Sequence, residues 1–273
     1  MRRATLAPVA LVALLACPGP PPRAPAPAIT TGDQLVRAMH DRYAGTWYHT
    51  LAFVQRNTRY LPNGTTEPST WLEALALPGK LRIDIQPLAE GSGTLFVDDT
   101  QYVIRNGAVS LMAPGPQPLF LLGFDVYFLP PERTAATLRA LGFDLARLHE
   151  VTWEGRPVYV VGAAAGDTKS KQFWVDRERL LFVRMLQPAP QDTSRRSDIR
   201  FEGYRPLGGG WIAPEVVFLL GDQRTFVERY EELRVDLPLD PALFDPKRWR
   251  TAPHWHPTDA PPVSQVAPTG QKK

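Results

Sequence analysis

The chain carries five histidines, His40, His49, His149, His254 and His256, and one cysteine, Cys17. A transition-metal site needs several such donors at set spacings. No HExxH pattern is present, and no histidine stands at zinc-ligand spacing from the cysteine. His254-Trp255-His256 comes nearest to a ligand pair, but its place in a proline-rich tail reads as a solvated linker. A serine nucleophile in a hydrolase sits in a GxSxG elbow. Gly91-Ser92-Gly93 is too short for that and reads as a hairpin turn. A phosphate loop requires Lys and Ser or Thr at the mouth of a helix, whereas Trp211 follows Gly208-Gly209-Gly210. Asp98-Asp99 and Glu231-Glu232 mark turns or solvated strand faces. Asp144 and His149 have no serine at a spacing that favours a triad. Enzymatic activity, a metal and a cofactor are therefore not expected.

Cys17 is the residue with a definite chemical use. Met1-Arg2-Arg3 is a short positive segment, and residues 4–16 follow without a charge, mostly Ala, Leu and Val. This has the form of a secretory leader, too short to span a bilayer as a helix. It ends in Leu14-Leu15-Ala16-Cys17, which resembles the bacterial lipobox, where a small residue precedes a cysteine that is lipidated and becomes the mature N-terminus. A lone cysteine cannot form an internal disulfide, consistent with that use. Residues 1–16 are thus expected as a lipoprotein signal peptide. Residues 17–29 are expected as lipidated Cys17 and a polyproline-like spacer holding a domain off the membrane. No Asp follows the cysteine, which favours the outer over the inner membrane of a two-membrane bacterium.

The 273 residues are 44% hydrophobic, 22% charged and 10% aromatic, enough to bury a core. The 29 prolines argue against long helices. The net charge of +3 includes Arg2 and Arg3 of the leader, so the rest is nearly neutral and no nucleic-acid partner is expected.

Thr30 to Asp33 offers helix caps, and Leu35, Val36, Met39 and Tyr43 recur at helical spacing, a core face. From Trp47 the period becomes two, and a meander with tight hairpins runs to Met112. Within it Leu81, Ile83 and Ile85 alternate with Arg82, Asp84 and Gln86. An apolar run, Pro118 to Phe128, leads to a helix from Pro130 to Leu141 closed by Gly142. Hairpins then resume to Leu237. The expectation is one domain over residues 30–249, mainly β, with about eleven antiparallel strands, an N-terminal helix and a helical insert. From residue 250 a disordered, Pro-rich tail is expected.

Leu180–Leu186 and Val216–Leu220 are apolar on both faces, so both faces must be covered. A curved, unclosed sheet roofed by the insert would leave an apolar cavity; a filled core fits the composition equally well. The order of elements resembles the LolA/LolB lipoprotein-carrier superfamily, which includes LppX/LprG-type lipid-binding lipoproteins. The matching segments are the helix followed by Trp47–Gln55, the mid-chain insert, Gln172–Asp176 with Leu180–Arg184, and Leu239–Pro246. The resemblance implies an unclosed barrel of about eleven strands with a helical lid over a cavity for acyl chains. It implies lipoprotein or lipid sorting towards the outer membrane and no enzymatic activity. Expected partners are the membrane, through lipidated Cys17, and an acyl chain, lipid or lipoprotein cargo; the protein is expected to be a monomer. Leu72, Leu75, Leu95, Tyr102, Phe120, Phe124, Phe173, Phe182 and Phe218 are the candidate cavity residues, although a one-residue slip exchanges the faces of a strand. The alternative is an envelope sensor or scaffold lipoprotein with the same fold and no lipid cargo.

Overall fold

Thr31 opens the first helix: its Oγ1 accepts the Gln34 N–H at 3.3 Å, satisfying one of the free amides of the first turn. This helix, α1 (Gly32–Tyr43), buries Leu35, Val36, Met39 and Tyr43, the stripe read from the sequence. The computed structural model describes residues 28–256. The leader, Cys17 and the spacer up to residue 27 lie outside the described residues, as does the tail from 257.

After α1 the chain forms β1 (Thr50–Tyr60), β2 (Thr66–Ala76), β3 (Lys80–Ile85), β4 (Ser92–Val97), β5 (Thr100–Arg105) and β6 (Ala108–Pro114), each antiparallel to the last. The insert gives α2 (Pro118–Gly123), a 3-10 turn (Asp125–Tyr127) and α3 (Pro131–Ala140). A second arm follows: β7 (Leu148–Trp153), β8 (Arg156–Val161), β9 (Gln172–Asp176), β10 (Phe182–Ala189), β11 (Asp192–Glu202), the small hairpin β12 (Arg205–Leu207) and β13 (Gly210–Ile212), β14 (Glu215–Leu220) and β15 (Gln223–Val235). β15 returns to pair with β1, which joins the arms into one 13-stranded sheet with β6 and β7 at its edges.

Among the described residues the strand number is fifteen, where about eleven were expected. Two segments that read as single strands, residues 197–205 and 211–220, divide. Gly203, at φ +69°, ends β11 before β12, and Pro214, which has no N–H to give a ladder, separates β13 from β14. The small hairpin presses on the start of the barrel. A Cβ on Gly210 would lie 2.4 Å from the Trp47 ring, so glycine there is a packing requirement.

Over β2 to β5 both faces of the sheet are covered. α1, the insert and α3 fill the inner face with the main core. On the outer face of the first arm, residues 239–255 lie as a strap whose Leu243, Phe244 and Trp249 bury against Ala74, Leu95 and Ile104. The domain thus runs past the expected boundary at 249. Residues 250–256 are placed on the sheet, and the His254-Trp255-His256 triplet read as a solvated linker is largely buried, with His254 Nε2 3.0 Å from Asp84 Oδ2. Arg82 fixes the strap. Its guanidinium donates to both oxygens of Asp84 (2.7 and 2.9 Å) and to the carbonyls of Leu243 (3.1 Å) and Trp249 (2.9 Å), and it stacks 3.9 Å from the Trp249 ring. On the second arm Arg184 pairs with Asp198 at 2.6 Å and lies over Trp174 and Trp153.

The Arg82 and Asp84 side chains are only 3% and 6% exposed, so removing the cation strands a buried carboxylate. Arg82→Ala is expected to lower unfolding free energy in urea by about 3–5 kcal/mol. Arg82→Lys, which cannot keep the bidentate geometry, should recover only part of the loss.

Candidate functional site

The insert starts where Gln117 Oε1 accepts the N–H groups of Leu119 and Phe120, capping α2 with Pro118 in its first turn. α2 reads Pro-Leu-Phe-Leu-Leu-Gly and carries no charge. It therefore has no face that prefers water and lies down on the open inner side of the sheet. The following turn is fixed at two points. Tyr127 stacks on Trp47 with ring centroids 3.9 Å apart, and Asp125 Oδ1 accepts the Gly79 N–H from the β2–β3 turn at 3.0 Å. Burial pushes the Asp125 carboxyl up to about 7, against the pull of that N–H.

Beneath α2 lies a cavity of about 330 Å³, bounded by the inner faces of β1 to β4 on one side and β11, β14 and β15 on the other. Its wall is mostly apolar and aromatic. One patch is polar, formed by Gln55 on β1, Glu73 on β2, and Glu228 and Tyr230 on β15. The Tyr230 hydroxyl donates to Glu228 Oε2 at 2.9 Å, and Gln55 Nε2 donates to Asn57 Oδ1 at 2.8 Å. Burial raises both acids: Glu228 to about 7, and Glu73 well above the usual carboxylate range, with Glu228 adding to the rise.

The nine cavity residues chosen from the sequence divide by strand face. Leu75, Phe120, Phe124 and Phe218 line the cavity. Leu95 and Tyr102 point to the other side, where the strap covers them, and Leu72 alternates away from the lining residues Trp71 and Glu73. Phe96, not Leu95, is the β4 residue that faces in. Phe173 and Phe182 belong to the packed core of the second arm; Phe173 meets Phe143, and Phe182 meets Phe201. Sequence reasoning missed the polar patch. The available signal was a single acid, Glu73, in the apolar run Trp71–Leu77.

No family model matches the sequence, and no curated protein is detectably similar to it. Solved structures do match. A putative outer membrane lipoprotein-sorting protein domain from Vibrio parahaemolyticus aligns over 80% of this chain and 97% of its own, at 12% identity and a TM-score of 0.53. A LolA superfamily protein from Nitrosomonas europaea aligns over 80% of this chain and 98% of its own, at 13% identity and a TM-score of 0.52. The chain has the LolA-like fold. At these identities the likeness concerns the fold, and the cavity under α2 belongs to the LolA-like half-barrel as this sequence builds it.

The raised acids give the LolA-like domain a defined pH response. An acid whose folded pKa is raised is bound to its proton more tightly in the native state, so stability is full below the unfolded value near 4.5 and falls as pH climbs to about 7. Glu228→Gln removes that loss. It is expected to melt close to the parent at pH 5 and some 2–4 °C higher at pH 8, as read by circular dichroism.

Proposed function

We propose that this chain is a lipid-anchored protein of the bacterial envelope that holds an acyl chain, from a lipid or a lipidated partner, beneath α2. The observation that carries this reading is the apolar cavity of about 330 Å³ roofed by a helix without a charged residue. That volume lies at the small end of ligand sites and suits one chain. Each methylene taken from water contributes about 0.8 kcal/mol, so a sixteen-carbon chain gains on the order of 10 kcal/mol before ordering costs. Release then requires α2 to lift. The contact that would let go is the Asp125–Gly79 hydrogen bond, the link between the insert and the rim of β2 and β3.

In this reading Cys17 carries the lipid and the proline spacer stands the domain off the outer membrane, facing the periplasm, as a monomer. The fold shared with a lipoprotein-sorting domain supports it. It does not act as an enzyme.

Native mass spectrometry of residues 28–256, gently purified from a bacterial host, should show an adduct of fatty-acid or phospholipid mass. Phe120→Asn with Phe124→Asn should remove the adduct while the domain still melts cooperatively. A bare protein that takes up no added lipid would instead favour a sensor or scaffold with a filled core. For the anchor, radiolabelled palmitate fed to cells should label the parent chain in the membrane fraction, and Cys17→Ser should lose the label. Equal labelling of both would remove Cys17 from its role.

A further inference from the structure

An acyl chain accounts for the apolar wall of the cavity but not for its acidic patch. Among the described residues, the buried acids are Glu73, Asp84, Asp125, Asp176 and Asp198. Four are answered: Asp84 by Arg82 and His254, Asp125 by the Gly79 N–H, Asp176 by Arg179, and Asp198 by Arg184 and Arg200. Glu73 is not. It is 6% exposed, lines the cavity between Trp71 and Leu75, and has no hydrogen-bond or ion-pair partner. A buried carboxyl left without a partner costs stability, and this one points at the space a ligand would fill.

The surroundings define the charge of the missing partner. Among the described residues, no Lys, Arg or His lines the cavity. A phosphate or carboxylate head would find no cation there and would face Glu73 and Glu228 together. A cationic head would find both acids and several aromatic rings. Trp71 and Phe226 lie 5.8 Å apart, and Phe53 and Tyr230 lie 4.4 Å apart, on the same inner faces of β1, β2 and β15. Aromatic faces beside carboxylates are the setting in which proteins hold ammonium groups.

We propose that the cargo of this cavity is an amphiphile with an ammonium head and no anion beside it, the head paired with Glu73 and the alkyl chain lying against Phe120 and Phe124. Glu228 adds its charge from β15. The assignment rests on the acyl-chain reading above and specifies which acyl-chain ligands the cavity selects.

The test uses the whole chain carrying Cys17→Ser, which has no lipidation site, titrated by calorimetry at pH 7.5 with decylamine, decanol and decanoate. Decylamine should bind at least roughly tenfold tighter than decanol, as one charge-assisted contact out of water allows, and decanoate should bind weakest. Glu73→Gln should bring decylamine to the level of decanol and leave decanol unchanged. If decanol matches decylamine in the parent, or the Gln variant keeps the amine preference, the ammonium assignment is wrong while the acyl-chain reading stands. If none of the three binds, both fall. Should Glu73→Gln not fold, the order of the three ligands on the parent decides the matter alone.

Discussion

The two edges of the main sheet, β6 and β7, are consecutive strands of the chain, and this constraint shapes the rest. A meander that left β6 and entered β7 by a hairpin would make one flat ladder with both faces open to water. Here 33 residues separate Pro114 from Leu148, and they are mostly helical. To connect opposite edges of a curved sheet they must cross its concave side. The lid is thus a consequence of the topology, and the cavity is the space that the crossing helices do not fill. The second requirement is the β1–β15 pairing, from Leu51 opposite Val235 to Arg59 opposite Phe226, because the cavity floor is made of side chains from those two strands.

The two faces of the sheet treat charge in opposite ways. On the outside, Arg82 with Asp84 and Arg184 with Asp198 are closed systems: each buried carboxylate has its guanidinium, and an aromatic ring stacks on the cation. Burial alone would raise these acids, but hydrogen bonds override it, from His254 and Arg82 at Asp84 and from Arg184 and Arg200 at Asp198, and hold both below the ordinary range. On the inside burial raises Glu73 and Glu228, and no Lys, Arg or His among the described residues lines the cavity to offset it. Carboxyl groups on the same sheet are thus ion-paired on one face and left without a cation on the other.

Much of the fold was legible in the sequence. The helical period of Leu35, Val36, Met39 and Tyr43, the alternation of Leu81, Ile83 and Ile85, and the uncharged run at Phe120 each named an element and its buried side. Which face of β2, β4 and β5 turns inward was not legible. Alternation identifies the inside only when the outside is wet, and the strap from residues 239–255 dries the outside of these strands. Leu95 and Phe96 are therefore equally good core residues by pattern, and only the position of a segment some 150 residues later separates them. The same strap explains why His254 and Trp255, which look like linker, are part of the domain: His254 meets Asp84 on β3 and Trp255 packs against the cluster around Leu95 and Ile104, out of reach of any local pattern. Glu73 was hidden for a related reason, since one acid in an apolar strand carries no mark of the neighbours it lacks.

Among the described residues the last strand, β15, lies in the middle of the sheet. β1 is flanked by β2 and β15, so the first arm emerges with the long edge of β1 bare until nearly all of the protein has left the ribosome. A strand edge of eleven residues with apolar groups is a template for wrong partners. Contacts that span most of the sequence also form slowly. Synthesis of this protein thus has a vulnerable interval set by its topology. During it the first arm must be kept apart from other chains, and it closes when β15 arrives.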